Sequence, residues 1–214
     1  MLLLFITGVA SSAQTSRAAE PYCDETSAKR VEITDADTTI LGLTIGRTSL
    51  KDAQEKLGKA EVTRVSREEE SDVSVCYVSP ADGTVLVLYS GAMGGWKDIT
   101  WFALWSREAA FQHSPQCTPS TLVSRRISTD SGLHLGQPKE QLERIVGKPK
   151  SVERAHAKYE YLCRRKMTDD EIKGFKANNW DISKDPYLDR MSWIEVRYRD
   201  QMASRIEVGE IESY

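Results

Sequence analysis

Four cysteines, three histidines, one glycine-rich loop and two charge runs are the features whose residue types and spacing could do chemistry. Cys23, Cys76, Cys117 and Cys163 contain no C-x-x-C step, which excludes a zinc knuckle and a thioredoxin-type redox pair. They read either as buried thiols of a cytosolic fold or, in an oxidising compartment, as two disulfides with three possible connectivities. His113, His134 and His156 show neither i, i+4 spacing nor an H-E-x-x-H step, so no metal-ligand set is nominated. His113 lies just before Cys117, a hint that falls short of the ligand count of a zinc site. The loop Ser90-Gly91-Ala92-Met93-Gly94-Gly95-Trp96 lacks the Gly-Lys-Ser/Thr ending of a phosphate loop and reads as a glycine hairpin. No G-x-S-x-G elbow occurs. The residues therefore nominate no catalytic group, no metal site and no cofactor. Glu68-Glu69-Glu70 reads as a solvated hairpin tip, with a cation site as the other reading. Arg164, Arg165 and Lys166, with Lys173 and Lys176, form a basic patch. It is either a solvated loop or a contact for an acidic partner or an anionic envelope surface.

An internal repeat sets the elements that must carry these residues. Gly42-Leu43-Thr44-Ile45-Gly46 returns as Gly132-Leu133-His134-Leu135-Gly136, and each copy leads to a short amphipathic helix closed by Gly-Lys, at Gly58-Lys59 and Gly147-Lys148. The first helix carries Leu50, Ala53 and Leu57 at i, i+3, i+7, with Ser49 as N-cap and Asp52 completing the box. The second carries Leu142, Ile145 and Val146, with Pro138 at the favoured first helical position. Beyond each helix the period switches to two, predicting strands over 62–66, 73–78, 85–89 and 99–105, then 151–155, 158–163, 193–199 and 203–208. An insertion at about 164–190 holds the capping box Thr168–Glu171, one helix to Ala177, and Trp180 and Tyr187 as recognition residues or clamps. The plan is α+β: two tandem repeats, each a short helical segment followed by a four-stranded antiparallel sheet. The expected divisions are a signal peptide at 1–13, an N-terminal segment at 14–39, repeats at 40–105 and 132–214, and a connector at 106–131.

With 214 residues, 40% hydrophobic, 29% charged and a net charge of -3, the chain has enough apolar content to exclude disorder and too little basicity for a nucleic-acid footprint. No run approaches the ~20 apolar residues of a membrane span. Met1 to Ala13 is short and apolar, with Ser11 and Ala13 placed as a signal-peptidase site before Gln14. That predicts a periplasmic or secreted protein; a buried first helix or strand is the other reading. Cys23 follows Pro21-Tyr22, not the small residues that precede a lipid-modified cysteine.

The hydrophobic-Gly step, short helix, Gly-Lys and meander together resemble the module of small outer-membrane-assembly lipoproteins of the SmpA/OmlA type. A tandem pair, here spanning Ile40 to Ile211, is similar to the β-lactamase inhibitory protein family. The resemblance implies an exported protein-binding module, an inhibitor or an assembly factor.

Strand parity divides each sheet into two faces. Ile206 and Val208 face the helix, so by alignment Phe102 and Leu104 do too, which turns Trp101 and Trp105 outward. Aligning Val85, Val87 and Tyr89 with Ile194, Val196 and Tyr198 assigns Leu86 and Leu88 to the outer face as well. The outer face of the second repeat is charged, through Lys158, Glu160, Glu195, Arg197, Arg205 and Glu207. An apolar outer face on the first must be covered, either by the 106–131 connector or the second repeat, or by a partner anchored on Trp101, Trp105, Leu86 and Leu88. Alternation of Val73, Val75 and Tyr77 puts Cys76 on that face, and the connector carries Cys117. Cys76–Cys117 is the favoured bridge, leaving Cys23–Cys163.

The reading that follows is a non-enzymatic, exported protein–protein interaction module of the cell envelope, with Arg164, Arg165 and Lys166 as further partner residues. The alternative is an enzyme or small-ligand binder with its site between the repeats, which a pocket of ~300–1,000 Å³ with converging ionisable groups would favour.

Overall fold

The computed structural model describes residues 33–67, 70–110, 116–182 and 185–213. The first part of the chain runs α1 (Asp35–Thr38), β1 (Thr39–Ile40), β2 (Leu43–Thr44), α2 (Leu50–Leu57), β3 (Thr63–Arg67), β4 (Glu70–Val78), β5 (Val85–Ser90) and β6 (Trp101–Trp105). Next come α3 (Arg107–Ala110) and β7 (Thr118–Pro119). The rest is α4 (Lys139–Val146), β8 (Ser151–Glu153), β9 (His156–Lys166), α5 (Asp169–Ala177), β10 (Tyr187–Arg199) and β11 (Met202–Ser213). The fold is α+β, dominated by antiparallel strands with few helices. Among the described residues no helix is long and apolar enough to cross a membrane. The 1–13 segment, Cys23, Glu68, Glu69 and His113 lie outside the described residues.

Local chemistry sets the helix ends. Ser49 and Asp52 exchange the two bonds of a capping box at the start of α2, and Thr168 and Glu171 do so at α5. Pro138 occupies the N-cap of α4, one position earlier than expected, in extended conformation. Gly58 and Gly147 close α2 and α4 at φ 107° and 87°, a region L-residues avoid. From the sheet below, the Tyr77 hydroxyl donates to the Gly58 carbonyl at 3.0 Å and the Tyr161 hydroxyl to the Val146 carbonyl at 3.1 Å. These bonds satisfy carbonyls that helix ends leave without partners. Burial pushes the Tyr77 phenol up to about 12, so it remains a donor throughout the physiological range.

The meanders expected as two sheets lie in one, ordered β3-β4-β5-β6-β11-β10-β9-β8, with β7 parallel beside β4. The join is the antiparallel pair β6–β11, where Phe102 sits beside Val208 and Leu104 beside Ile206. Joined this way, the apolar rows under α2 and α4 become one core, running from Leu50, Ala53 and Val75 to Leu142, Ile194 and Val196. Two separate sheets would leave each row open at its edge, so burial favours the union.

The face away from α2 and α4 agrees with the expected parity at β4 and β6 and departs from it at β5. Trp101, Trp105 and Cys76 share a second cluster on that face, while Phe102, Leu104, Val75 and Tyr77 belong to the helix-side core. Leu86 and Leu88 also lie in the helix-side core, fully buried, and Val85, Val87 and Tyr89 take the far face. Register is the cause: Leu88 pairs with Phe102 and Leu86 with Leu104, and directly paired residues share a face. The expected alignment of β5 with β10 is therefore off by one residue.

Candidate binding surface

The far face is built from rows that cross the strands. One row runs Cys76, Val87, Ala103, Glu207, Glu195, Lys158. It begins at a disulfide and ends among charges. A second runs Tyr89, Trp101, Gly209, Trp193, Glu160. Tyr89 and Trp101 stack at 3.4 Å between centroids, 5° from parallel. A side chain at 209 would overlap the Trp193 indole, so this glycine lets the ring lie flat on its strand. In the third row Arg205 caps the Trp105 ring at 4.8 Å and pairs with Glu207.

Over β4–β6 this face is shut. The connector leaves Trp105 through α3, and Cys117 is bonded to Cys76 with Cα atoms 4.6 Å apart. Thr118 then pairs with Tyr77 along β4, so the connector's two ends lie on opposite sides of the face. Ala109 and Cys117 pack on the cluster beneath, and Trp101 and Trp105 are each 5% exposed. Both tryptophans are thus shielded within this cluster, Trp101 under the Tyr89 ring and Trp105 under the Arg205 guanidinium. Farther along, the Arg125 N–H donates to the Asp82 carboxylate at 2.8 Å, and the Thr84 N–H donates at 3.0 Å. Burial alone would raise this carboxyl, but those donors hold it down at about 2. Cys163 is also disulfide-bonded; its expected partner, Cys23, lies outside the described residues.

Over β9–β11 the same face is charged and carries its own ion-pair lattice. Lys158 reaches Glu160 at 3.6 Å and Glu195 at 3.7 Å, His156 Nε2 lies 3.2 Å from Glu195, and Lys150 pairs with Glu160. The hydrogen bond from Lys150 lowers the Glu160 carboxyl. Trp193 and Met191 stand half-buried at the lattice border, and Leu162 beside them is 61% exposed. Trp193 and Leu162 were missed as site residues, although a glycine opposite a tryptophan in an alternating strand is a readable sign.

The basic run is not a loop. Arg164, Arg165 and Lys166 continue β9 and pair with Asp189, Leu188 and Tyr187 of β10, so the insertion is a lengthened hairpin carrying α5. Arg164 pairs with Asp185 and stacks on Tyr187 at 5.2 Å. Arg165 donates to Glu171 at 2.7 and 3.0 Å and to Glu212 at 2.8 and 3.0 Å. Only Lys166 of the three is exposed. Trp180 meets Phe175 edge-on, and Phe175 packs on Met167, Ile182 and Leu188, a clamp holding α5.

Between α5, β10–β11 and the turns at 45–47 and 93–98 lies a cavity of about 820 Å³. Its charges are largely spent on one another: Arg165 with Glu171 and Glu212, Arg190 with Glu210, Arg47 with Asp35. The Arg165 hydrogen bonds hold the Glu171 carboxyl at about 2, the direction opposite to that of a general acid. Among the described residues no three of His, Cys, Asp or Glu gather as metal ligands. His134 bonds the carbonyl of Leu135 through Nδ1 at 2.9 Å, and 92–94 form a 3-10 turn in the β5–β6 hairpin.

The Arg165–Glu171 clamp has a pH signature. A carboxyl at about 2 in the fold, against its ordinary 4.5, stabilises the folded form at every pH above 4.5, and the contribution is lost as pH falls from 4.5 to 2. The protection of the α5 amides against hydrogen exchange, relative to the intrinsic rate at each pH, should therefore fall across that window in the native chain. In Glu171→Gln that fall should be absent and the protection low throughout. Compared with known proteins, the chain matches no family model, no curated protein and no solved structure.

Proposed function

We propose that this chain is an exported binding protein of the cell envelope that recognises a protein partner with the β9–β11 face of its sheet. The observation that carries the reading is the contrast across one continuous surface. Its β4–β6 half is closed by a disulfide-tied connector, while its β9–β11 half presents a charged lattice bordered by Trp193 and Leu162. Aromatic anchors inside a polar rim are how protein interfaces concentrate affinity. A disulfide suits an oxidising, extracytoplasmic compartment, and reading the short apolar stretch Met1–Ala13 as a signal peptide fits the same compartment. A tandem duplication is supported by devices that recur at matching places: glycine-closed helices α2 and α4, each met by a tyrosine from the second strand beyond it. The likeness to SmpA/OmlA-type modules suggests an inhibitory or assembly role.

Affinity capture from the native envelope fraction tests this. Trp193→Ala and Lys158→Gln should each remove the captured protein while the variants, tested below their melting temperatures, keep the far-ultraviolet spectrum of the parent. Capture unchanged by both folded variants overturns the reading. The 820 Å³ cavity supports a second one, a small-ligand binder. It is told apart in the same experiment, because Arg190→Ala alters the cavity and leaves the far face untouched.

A further inference from the structure

β9 bonds to β10 along its whole length, but β8 covers only His156, Ala157 and Lys158 on the other side. The Lys150 N–H donates to the Lys158 carbonyl at 2.8 Å, so the backbone polar groups of Lys158 point to the outer edge. Alternation by two gives Glu160, Leu162 and Arg164 the same orientation. No described strand lies beyond them. The β9–β10 ladder has no register shift, and Leu162, at the middle of this edge, is 61% exposed. A regular edge with an apolar centre is a template for another strand.

The residues on the edge specify which strand. A two-fold axis through Leu162, perpendicular to the sheet, sets Glu160 opposite Arg164 of the second copy, and Arg164 opposite Glu160 of the second copy. Leu162 then meets Leu162 of the second copy, and each pair exchanges two backbone bonds. Opposite charges face each other at both ends, as cross-strand pairing favours, Glu160 and Arg164 adding these contacts to the pairs they already make with Lys150 and Asp185. We infer that a second copy of this chain docks antiparallel on the outer edge of β9, centred on Leu162. The contact is isologous and closes on itself. Because the axis is perpendicular to the sheet, the two β9–β11 faces lie side by side on one side of the dimer. This inference does not depend on the partner proposed above.

Sedimentation velocity on the full chain across a dilution series tests it. The native chain should dimerise, and Leu162→Lys, at an exposed position, should be folded and monomeric. Leu162→Pro should also be monomeric, because the lost N–H points away from β10. Glu160→Arg and Arg164→Glu should each fail to self-associate, one setting arginine against arginine and the other glutamate against glutamate. Mixed together they should form a heterodimer, with opposite charges restored at both ends. A native chain that stays monomeric at its solubility limit overturns the inference. A dimer indifferent to Leu162→Lys overturns it as well, and so does failure of the two charge variants to pair when mixed. Filling of the edge by another extended segment, from a different protein or from the part of this chain bonded to Cys163, would appear as the first of these outcomes.

Discussion

Cys117→Ser should lower the free energy of unfolding by roughly 3–4 kcal/mol, the chain-entropy value for a loop of this length. The bond joins residues 41 apart in sequence, so its removal releases a long loop in the unfolded ensemble. In the folded state it frees the segment that closes the β4–β6 face. Trp101 and Trp105 belong to the buried cluster on which Ala109 and Cys117 of that segment pack. Their emission should shift to the red and become quenchable by iodide in the variant, or in the native chain after reduction, under conditions where the far-ultraviolet spectrum is unchanged. The expected result is thus a stability loss together with local tryptophan exposure before global unfolding. A variant as stable as the parent, with its tryptophans still shielded, would show that packing rather than the cross-link holds the connector down.

That bond was legible because two short-range patterns agreed. Val75 and Tyr77 fixed the parity of β4, and alternation in Trp101-Phe102-Ala103-Leu104-Trp105 fixed that of β6. The caps were legible for the same reason: Ser49–Asp52 and Thr168–Glu171 are local chemistry. What stayed hidden is non-local. Arg165 finds Glu212 across 47 positions, so a run of three cations reads as solvated although two of them are held by carboxylates. The β6–β11 join depends on burial shared between distant strands, which no window of sequence displays. β5 fails differently: Val85-Leu86-Val87-Leu88-Tyr89 is apolar at every position and buried on both faces. Period two then carries no information about which residue faces which side.

The misplacement of Leu88 is therefore the point at which the fold itself can be tested. Leu88 is fully buried in the helix-side core beside Phe102, so Leu88→Ala should cost about 2–5 kcal/mol, the range for a buried leucine truncated into a cavity. The size of the loss alone does not identify the face, since a leucine beneath the connector would also be costly. Coupling does. Leu88 and the Cys76–Cys117 bond lie on opposite faces of the sheet, so Leu88→Ala and Cys117→Ser should couple less than Trp101→Ala and Cys117→Ser do, since neighbours on one face share partners. Trp101→Ala removes a ring from the cluster on which Cys117 packs, and its cost should shrink in the Cys117→Ser background, where that cluster is already loosened. Urea denaturation of the native chain, the three single variants and the two double variants measures both cycles. Additivity at Trp101 with coupling at Leu88 would reverse the parity of β5 and β6 and return Leu88 to the outer face.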